Sequence, residues 1–317
     1  MGKAERIRRM NAREKIAAQQ AAARRMEARR RMFLAGGSVI GVLIVVVVLI
    51  IVKGASNTGA SGTSASAGHT ASSATTASVT KDIASVPAST LNAVGKGSGV
   101  SPLIATKGQP ALTSGSKPEI VYMGAEYCPY CAAERWAMAV ALSRFGTFSG
   151  LHLIHSSDND IFTNTATLSF YKSTYTSKYL VFDPVELYSE KPDGDGYAPL
   201  QKPTAEETQL MSKYDAPPYI SSADAGSFPF VDFGNQYLVL GAQYLPSALG
   251  TTASIDPGHY GLSWAQIGAD LKNPASPVAK AVDGAANSIT AAICKITNNS
   301  DAAVCSSAAA AAGAGDL

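Results

Sequence analysis

The sequence predicts an α/β domain held behind one transmembrane helix, and three stretches carry that reading. Residues 33–52 contain no charged side chain. The apolar, β-prone run Glu119-Ile-Val-Tyr-Met-Gly124 enters a helical pattern through Cys128-Pro129-Tyr130-Cys131. Two further apolar runs, Phe228-Pro-Phe-Val-Asp-Phe233 and Tyr237-Leu-Val-Leu-Gly241, flank Gly234-Asn235, a strong hairpin signal.

The chain has 317 residues, 46% of them hydrophobic and 16% charged. Its surplus of Ala, Ser, Gly and Thr gathers in residues 53–86 and at the C-terminal end, which predicts one globular domain rather than two. The net charge of +2 is a cancellation: residues 1–31 hold eleven Lys and Arg against three Glu, and taking that +8 from the total leaves −6 for the rest. A basic arm that adjoins a hydrophobic run is a topogenic signal and a contact for anionic lipid, which argues against a nucleic-acid tail.

Twenty helical residues at about 1.5 Å each span roughly 30 Å, the hydrocarbon thickness of a bilayer. Arg29, Arg30 and Arg31 precede the apolar run and only Lys53 follows it. The basic arm, residues 1–32, is therefore expected in the cytoplasm, the helix at 33–52, and everything after it outside the cell membrane. The apolar run exceeds the core of a cleaved signal peptide, so an uncleaved single-pass anchor is favoured. Residues 53–86 lack the apolar surface to offset ordering and are expected to form a flexible linker reaching on the order of 30 Å. The domain is expected over 87–306, followed by a disordered Ala-rich tail at 307–317.

Within the domain, Pro129 suits the first helical position and Gly146 a left-handed helix end. Trp136, Met138 and Leu142 recur at helical spacing and read as core. Leu151–His155 reads as a second strand and Tyr179-Leu-Val-Phe182, bounded by Asp183-Pro184, as another. Thr204-Ala-Glu-Glu207 has capping-box spacing and opens a helix that ends before Pro217-Pro218. Helical patterns follow at Ser263–Leu271 and from Pro277 to about Cys294.

The four cysteines fall as two pairs. Cys128 stands at a helix N-terminus, where free N–H groups and the dipole favour a thiolate, so Cys128 is the candidate nucleophile and Cys131, one turn inside, the resolving thiol. A static disulfide and half of a zinc site compete with that reading. Cys294 and Cys305 are spaced unlike a metal knuckle, and Ala132 stands where covalent haem would need His, so no metal or cofactor is expected. Cys294 and Cys305 close a short loop and read as a structural disulfide, with a second redox pair as the alternative. None of His69, His152, His155 and His259 is placed in sequence as a base for Cys128.

The strand running into Cys-x-x-Cys resembles the thioredoxin superfamily. The fuller set, Gly124-Ala-Glu-Tyr-Cys-Pro-Tyr-Cys-Ala132, Arg135-Trp136, Phe145-Gly146, Phe182-Asp-Pro-Val-Glu186 and Ala291-Ala-Ile-Cys294, is similar to a family of membrane-anchored thioredoxin-like proteins, domain of unknown function family 929. The resemblance covers roughly residues 86–306. It implies a thioredoxin-like fold, a central mixed sheet flanked by helices, with an insertion before the strand that follows a cis-proline. Pro229 matches that proline, and Phe228, Pro229 and Tyr130 are the implied substrate-docking residues, offering backbone to an extended segment. Gly241 resembles the small residue that lets backbone approach the site. One departure stands out: thioredoxins carry a buried acid six positions before the first cysteine, where this chain has Tyr122. Glu126 and Glu134 are the possible substitutes, each expected on a solvated face.

The expected function is a membrane-anchored, extracytoplasmic thiol-disulfide oxidoreductase. Its partners would be exported thiol or disulfide proteins, a membrane redox protein, and lipid met through the helix and basic arm. The competing class is a non-catalytic thioredoxin-like binding or scaffold domain whose cysteines are structural.

Overall fold

The computed structural model describes residues 71–194 and 196–317. The expected basic arm, transmembrane span and first part of the linker lie outside these residues. Among the described residues, no helix is long and apolar enough to cross a membrane.

Helices α1 (Ser73–Ala84) and α2 (Ala88–Val94) lead into short strands β1 (Ile104–Ala105) and β2 (Thr113–Ser114), then β3 (Lys117–Gly124). The helix α3 (Pro129–Ser143) carries the Cys128–Cys131 motif. After it come β4 (Gly146–Ser149), β5 (His152–His155), β6 (Ala166–Ser169), β7 (Thr174–Ser177) and β8 (Val181–Glu186). A hairpin of β9 (Tyr188–Asp193) and β10 (Gly196–Pro199) and the helix α4 (Ala205–Tyr214) separate β8 from β11 (Phe230–Phe233) and β12 (Tyr237–Leu240). The chain closes with α5 (Trp264–Asp270), α6 (Pro277–Ile296), α7 (Ala302–Cys305) and α8 (Ala308–Gly313).

The central sheet runs β1-β12-β11-β3, with β2 and β8 along the other edge of β3. It is mixed, because β8 lies parallel to β3 while β11 is antiparallel to both β3 and β12. Alternation along β3 divides the core. Ile120 and Tyr122 pack with Trp136 and Leu142 of α3, Ile289 and Ile293 of α6, and Val79 and Ile83 of α1. Val121 and Met123 face the opposite side, with Phe230, Leu238 and Tyr214 of α4. The sheet is thus flanked by helices on both faces, which is why β3 is buried over its last five residues.

Several local signals are realised directly. Gly234 and Asn235 take positive φ in the β11–β12 turn, and Phe233 pairs with Tyr237. Thr204 and Glu207 form both hydrogen bonds of a capping box at α4. Cys294 and Cys305 are disulfide-bonded with Cα atoms 5.6 Å apart, eleven residues apart in sequence. By loop entropy that bond stabilises the domain by about 3 kcal/mol.

Four expectations are corrected. Residues 73–84, read as part of the 53–86 linker, form α1: Ser72 caps it through Thr75 N, and Val79 and Ile83, four residues apart, are both buried. Two apolar side chains on one helical face are enough to dock an otherwise small-residue stretch. Residues 307–317, read as disordered, contain α8, in which Ala309 and Ala310 are buried and Gly313 lies where a Cβ would meet the Asn287 backbone. Small side chains here serve close helix packing against α6 rather than disorder. Asp183-Pro184 does not bound a strand but lies within β8, pairing with Val121 and Tyr122. An edge strand tolerates the missing proline N–H. Gly146 does not cap α3, which ends at Ser143; it opens β4, where a Cβ would lie 2.5 Å from the Thr176 carbonyl oxygen.

Candidate active site

The buried strand β3 delivers its chain to Ala125, whose carbonyl accepts a hydrogen bond from Cys128 N at 3.2 Å. That turn sets Cys128 as the N-cap of α3, with φ −76° and ψ 122°, and places Pro129 in the first turn. A side chain at this position meets the orphan N–H groups of the helix, and here the Cys128 sulfur accepts from Cys131 N at 3.3 Å. Cys128 keeps 7% of its surface exposed while Cys131 has none. Both cysteines are therefore buried, Cys131 completely.

The rim of the dithiol is aromatic. Tyr127, Tyr130 and Phe228 pack around Ala125, Cys128 and Cys131. The Tyr130 ring meets Phe162 edge-on at 5.8 Å. Tyr127 stacks flat on Tyr197 of β10, with centroids 4.0 Å apart, and the Tyr197 hydroxyl donates to Ser157 Oγ. The β9–β10 hairpin therefore forms one wall of the site.

Phe228, with Pro229 following it, lies against the dithiol. The Phe228–Pro229 peptide is cis, and the Phe228 carbonyl accepts from Cys128 Sγ at 3.8 Å. Gly241 N donates to the Pro229 carbonyl at 2.8 Å. Gly241 has φ +85° and nothing within 4 Å of the place a Cβ would take, so glycine is needed there for its left-handed backbone and not for close approach. Cys294 and Cys305 belong to the α6–α7 junction and carry the disulfide already described.

Beneath the dithiol lies an ion pair that the sequence reading missed. Arg135 donates through Nε to Glu186 Oε1 and through Nη2 to Glu186 Oε2, both at 2.8 Å, and Nη2 also donates to the Ala125 carbonyl at 2.7 Å. Both side chains are fully buried. Their two segments carry the family resemblance, but nothing in a single sequence pairs positions 51 residues apart.

The two thiols differ sharply. Burial pushes Cys128 up, but hydrogen bonds from the Cys131 thiol and amide, with help from the Arg135 charge, outweigh it and hold Cys128 below the usual thiol range. Burial, reinforced by the hydrogen bond to Cys128 and by its charge, drives Cys131 well above that range, while Arg135 works in the other direction.

Glu126 and Glu134 are not on a solvated face. Glu126 is 4% exposed and Glu134 fully buried. Glu126 accepts from Ser169 Oγ and lies 3.6 Å from His152 Nε2. Glu134 Oε2 accepts from Gln243 N at 2.9 Å, and burial pushes its carboxyl up to about 7.

The described residues form an α/β domain whose mixed sheet feeds a cysteine pair into the first turn of a buried helix. More particularly, the chain belongs to the family described as Domain of unknown function (DUF929), whose model matches residues 106–295. That match takes in Cys128, Cys131, Arg135, Glu186 and Pro229. Comparison with curated proteins and with solved structures found no match.

Proposed function

We propose that this chain is a thiol-disulfide oxidoreductase with a thioredoxin-like domain, anchored in the cell membrane with that domain outside. The observation that carries the reading is the asymmetry of the dithiol. Cys128 caps a helix N-terminus, keeps a small part of its surface exposed and is held below the usual thiol range; Cys131 is fully buried and held above it.

In the reducing direction, the Cys128 thiolate attacks one sulfur of a substrate disulfide. A mixed disulfide forms and the other substrate sulfur leaves as a thiolate. Cys131 then gives up its proton to that thiolate and attacks Cys128 Sγ, closing the Cys128–Cys131 bond and releasing the second substrate sulfur. Two electrons pass from the dithiol to the substrate, and the reverse sequence oxidises a substrate dithiol. The Phe228 and Pro229 backbone and the Tyr127, Tyr130 and Phe228 rings would hold an extended substrate segment across Cys128. Exported proteins with reactive thiols or disulfides are the proposed substrates, and a membrane redox protein the proposed source or sink of electrons.

The order of thiol reactivity tests this. The reduced full-length chain, in mild detergent, would be pulsed with an alkylating agent at stepped pH and each cysteine mapped by mass spectrometry. Cys128 should label with a midpoint below the ordinary thiol value of about 8.5, and Cys131 only far above it. Joint labelling of both sulfurs at or above the ordinary value would leave the binding-domain reading in its place.

A further inference from the structure

Two buried hydrogen-bond donors beside the dithiol have no partner among the described residues: the Tyr122 hydroxyl and Arg135 Nη1. Each such group costs about 1–3 kcal/mol when left unpaired, so the persistence of two that act on each other electrostatically asks for a reason. Both are aimed by their surroundings. The Tyr122 ring stands edge-on to Phe170 at 5.2 Å. It leans along β3 over Gly124, where any Cβ would collide with its hydroxyl, and so points toward the strand end from which Ala125 and Cys128 continue. Arg135 is one turn after Cys131 on α3, and Glu186 and the Ala125 carbonyl hold every other part of its fork.

We propose that Tyr122 and Arg135 form a donor pair that receives the Cys131 thiolate once Cys128 is bound in a mixed disulfide, and that this pair takes the place of a buried acid as the device promoting the resolving step. The inference rests on the exchange reading above and deepens it. While both thiols are free, Cys128 competes for the negative charge and Cys131 stays protonated. When Cys128 is covalently bound to substrate, that competition ends. A new anion on Cys131 then lies in the field of Arg135 and within the neighbourhood of a hydroxyl that has no other acceptor. The electrostatics run the same way, since both cysteines act on the Tyr122 hydroxyl and Arg135 favours the anionic form of each cysteine. In the oxidising direction the same pair would stabilise Cys131 as the leaving thiolate when a substrate sulfur attacks Cys128.

The charged and titratable groups around Cys131 are few. Cys128 and Arg135 belong to the cap and body of its own helix, Tyr122 to β3, Glu186 to β8 and Tyr127 to the turn between β3 and α3, while Asp160 acts on Cys128 and Glu126 feels Arg135. Glu186 is bound to Arg135, so Tyr122 is the group that can be altered without unpairing a buried charge.

The test uses the full-length chain with Cys128→Ser, which leaves Cys131 as the lone thiol of the site, and reads the pH midpoint of Cys131 from the NMR shift of its isotopically labelled β-carbon, which needs no reagent to reach the buried sulfur. Tyr122→Phe should raise that midpoint by about one pH unit, a tenfold loss of thiolate, as expected for one hydrogen bond to a charged group. Tyr122→Met, also without a donor, should behave alike. With both cysteines present, Tyr122→Phe should slow closure of a Cys128–glutathione mixed disulfide about tenfold at neutral pH. Midpoints and closure rates within twofold of the parent would overturn the proposal. A parent chain that never exchanges with glutathione would sink the exchange reading instead, and the Cys131 midpoint would then decide the electrostatic claim alone.

Discussion

Cys131→Ser should convert the chain into a trap. Cys128 keeps its place at the helix N-terminus and its attack on a substrate disulfide, but no second thiol releases the product, so mixed disulfides accumulate. Cys128→Ser should lose exchange altogether, on the order of a thousandfold or more, because Cys131 is fully buried and cannot meet a substrate sulfur. The measurement is non-reducing electrophoresis and mass mapping of each full-length variant after incubation with a disulfide peptide. Equal trapping through either cysteine would contradict the asymmetry on which the mechanism stands. Cys131→Ala should trap as well, and because it removes the thiol hydrogen bond that helps hold Cys128 below the usual range, its trapping should shift toward higher pH than the first step of the parent.

Breaking the buried ion pair should have the largest effect on stability. Arg135 and Glu186 are fully buried and doubly bonded, so Arg135→Met or Glu186→Met leaves one charge stranded and should cost about 3–5 kcal/mol. Replacing both with methionine should recover most of that loss, since two desolvated charges are traded for apolar volume. Chemical denaturation of the single and double variants reads this directly. The double variant should nonetheless be impaired in exchange, because Arg135 favours the thiolate of both cysteines. Full stability together with full exchange would show that the pair contributes nothing to the chemistry.

What was legible in the sequence was local. The strand entering Cys-x-x-Cys, the Gly234-Asn235 hairpin, the Thr204 capping box and the Cys294–Cys305 pairing each depend on residues close together in the chain or on one short loop. What escaped was set by distant neighbours. Val79 and Ile83 look like stray apolar residues until α3 and α5 come to meet α1, and Ala309 and Ala310 look like low-complexity tail until they pack on α6. Pro184 reads as a strand end because a ladder normally needs its N–H, and only the edge position of β8 relaxes that need. Glu134 reads as solvated because charged residues on helices usually are; its helix is buried on every side. Of the site, the cysteine pair and the Phe228–Pro229 segment were visible, while the Arg135–Glu186 pair beneath them was not, since Arg135 meets Glu186 only through the parallel pairing of β3 with β8.

The central claim is that Cys128 and Cys131 cycle between dithiol and disulfide, and one measurement tests it most directly. The full-length chain in mild detergent would be equilibrated in glutathione buffers of stepped ratio, acid-quenched, alkylated, and the Cys128–Cys131 bond quantified by mass spectrometry. The account predicts a reversible two-electron transition with its midpoint within the span of exchange proteins, roughly −270 to −120 mV, while Cys294–Cys305 stays closed throughout. A Cys128–Cys131 pair that stays in one state across every buffer, and changes only when the domain is unfolded, would contradict it.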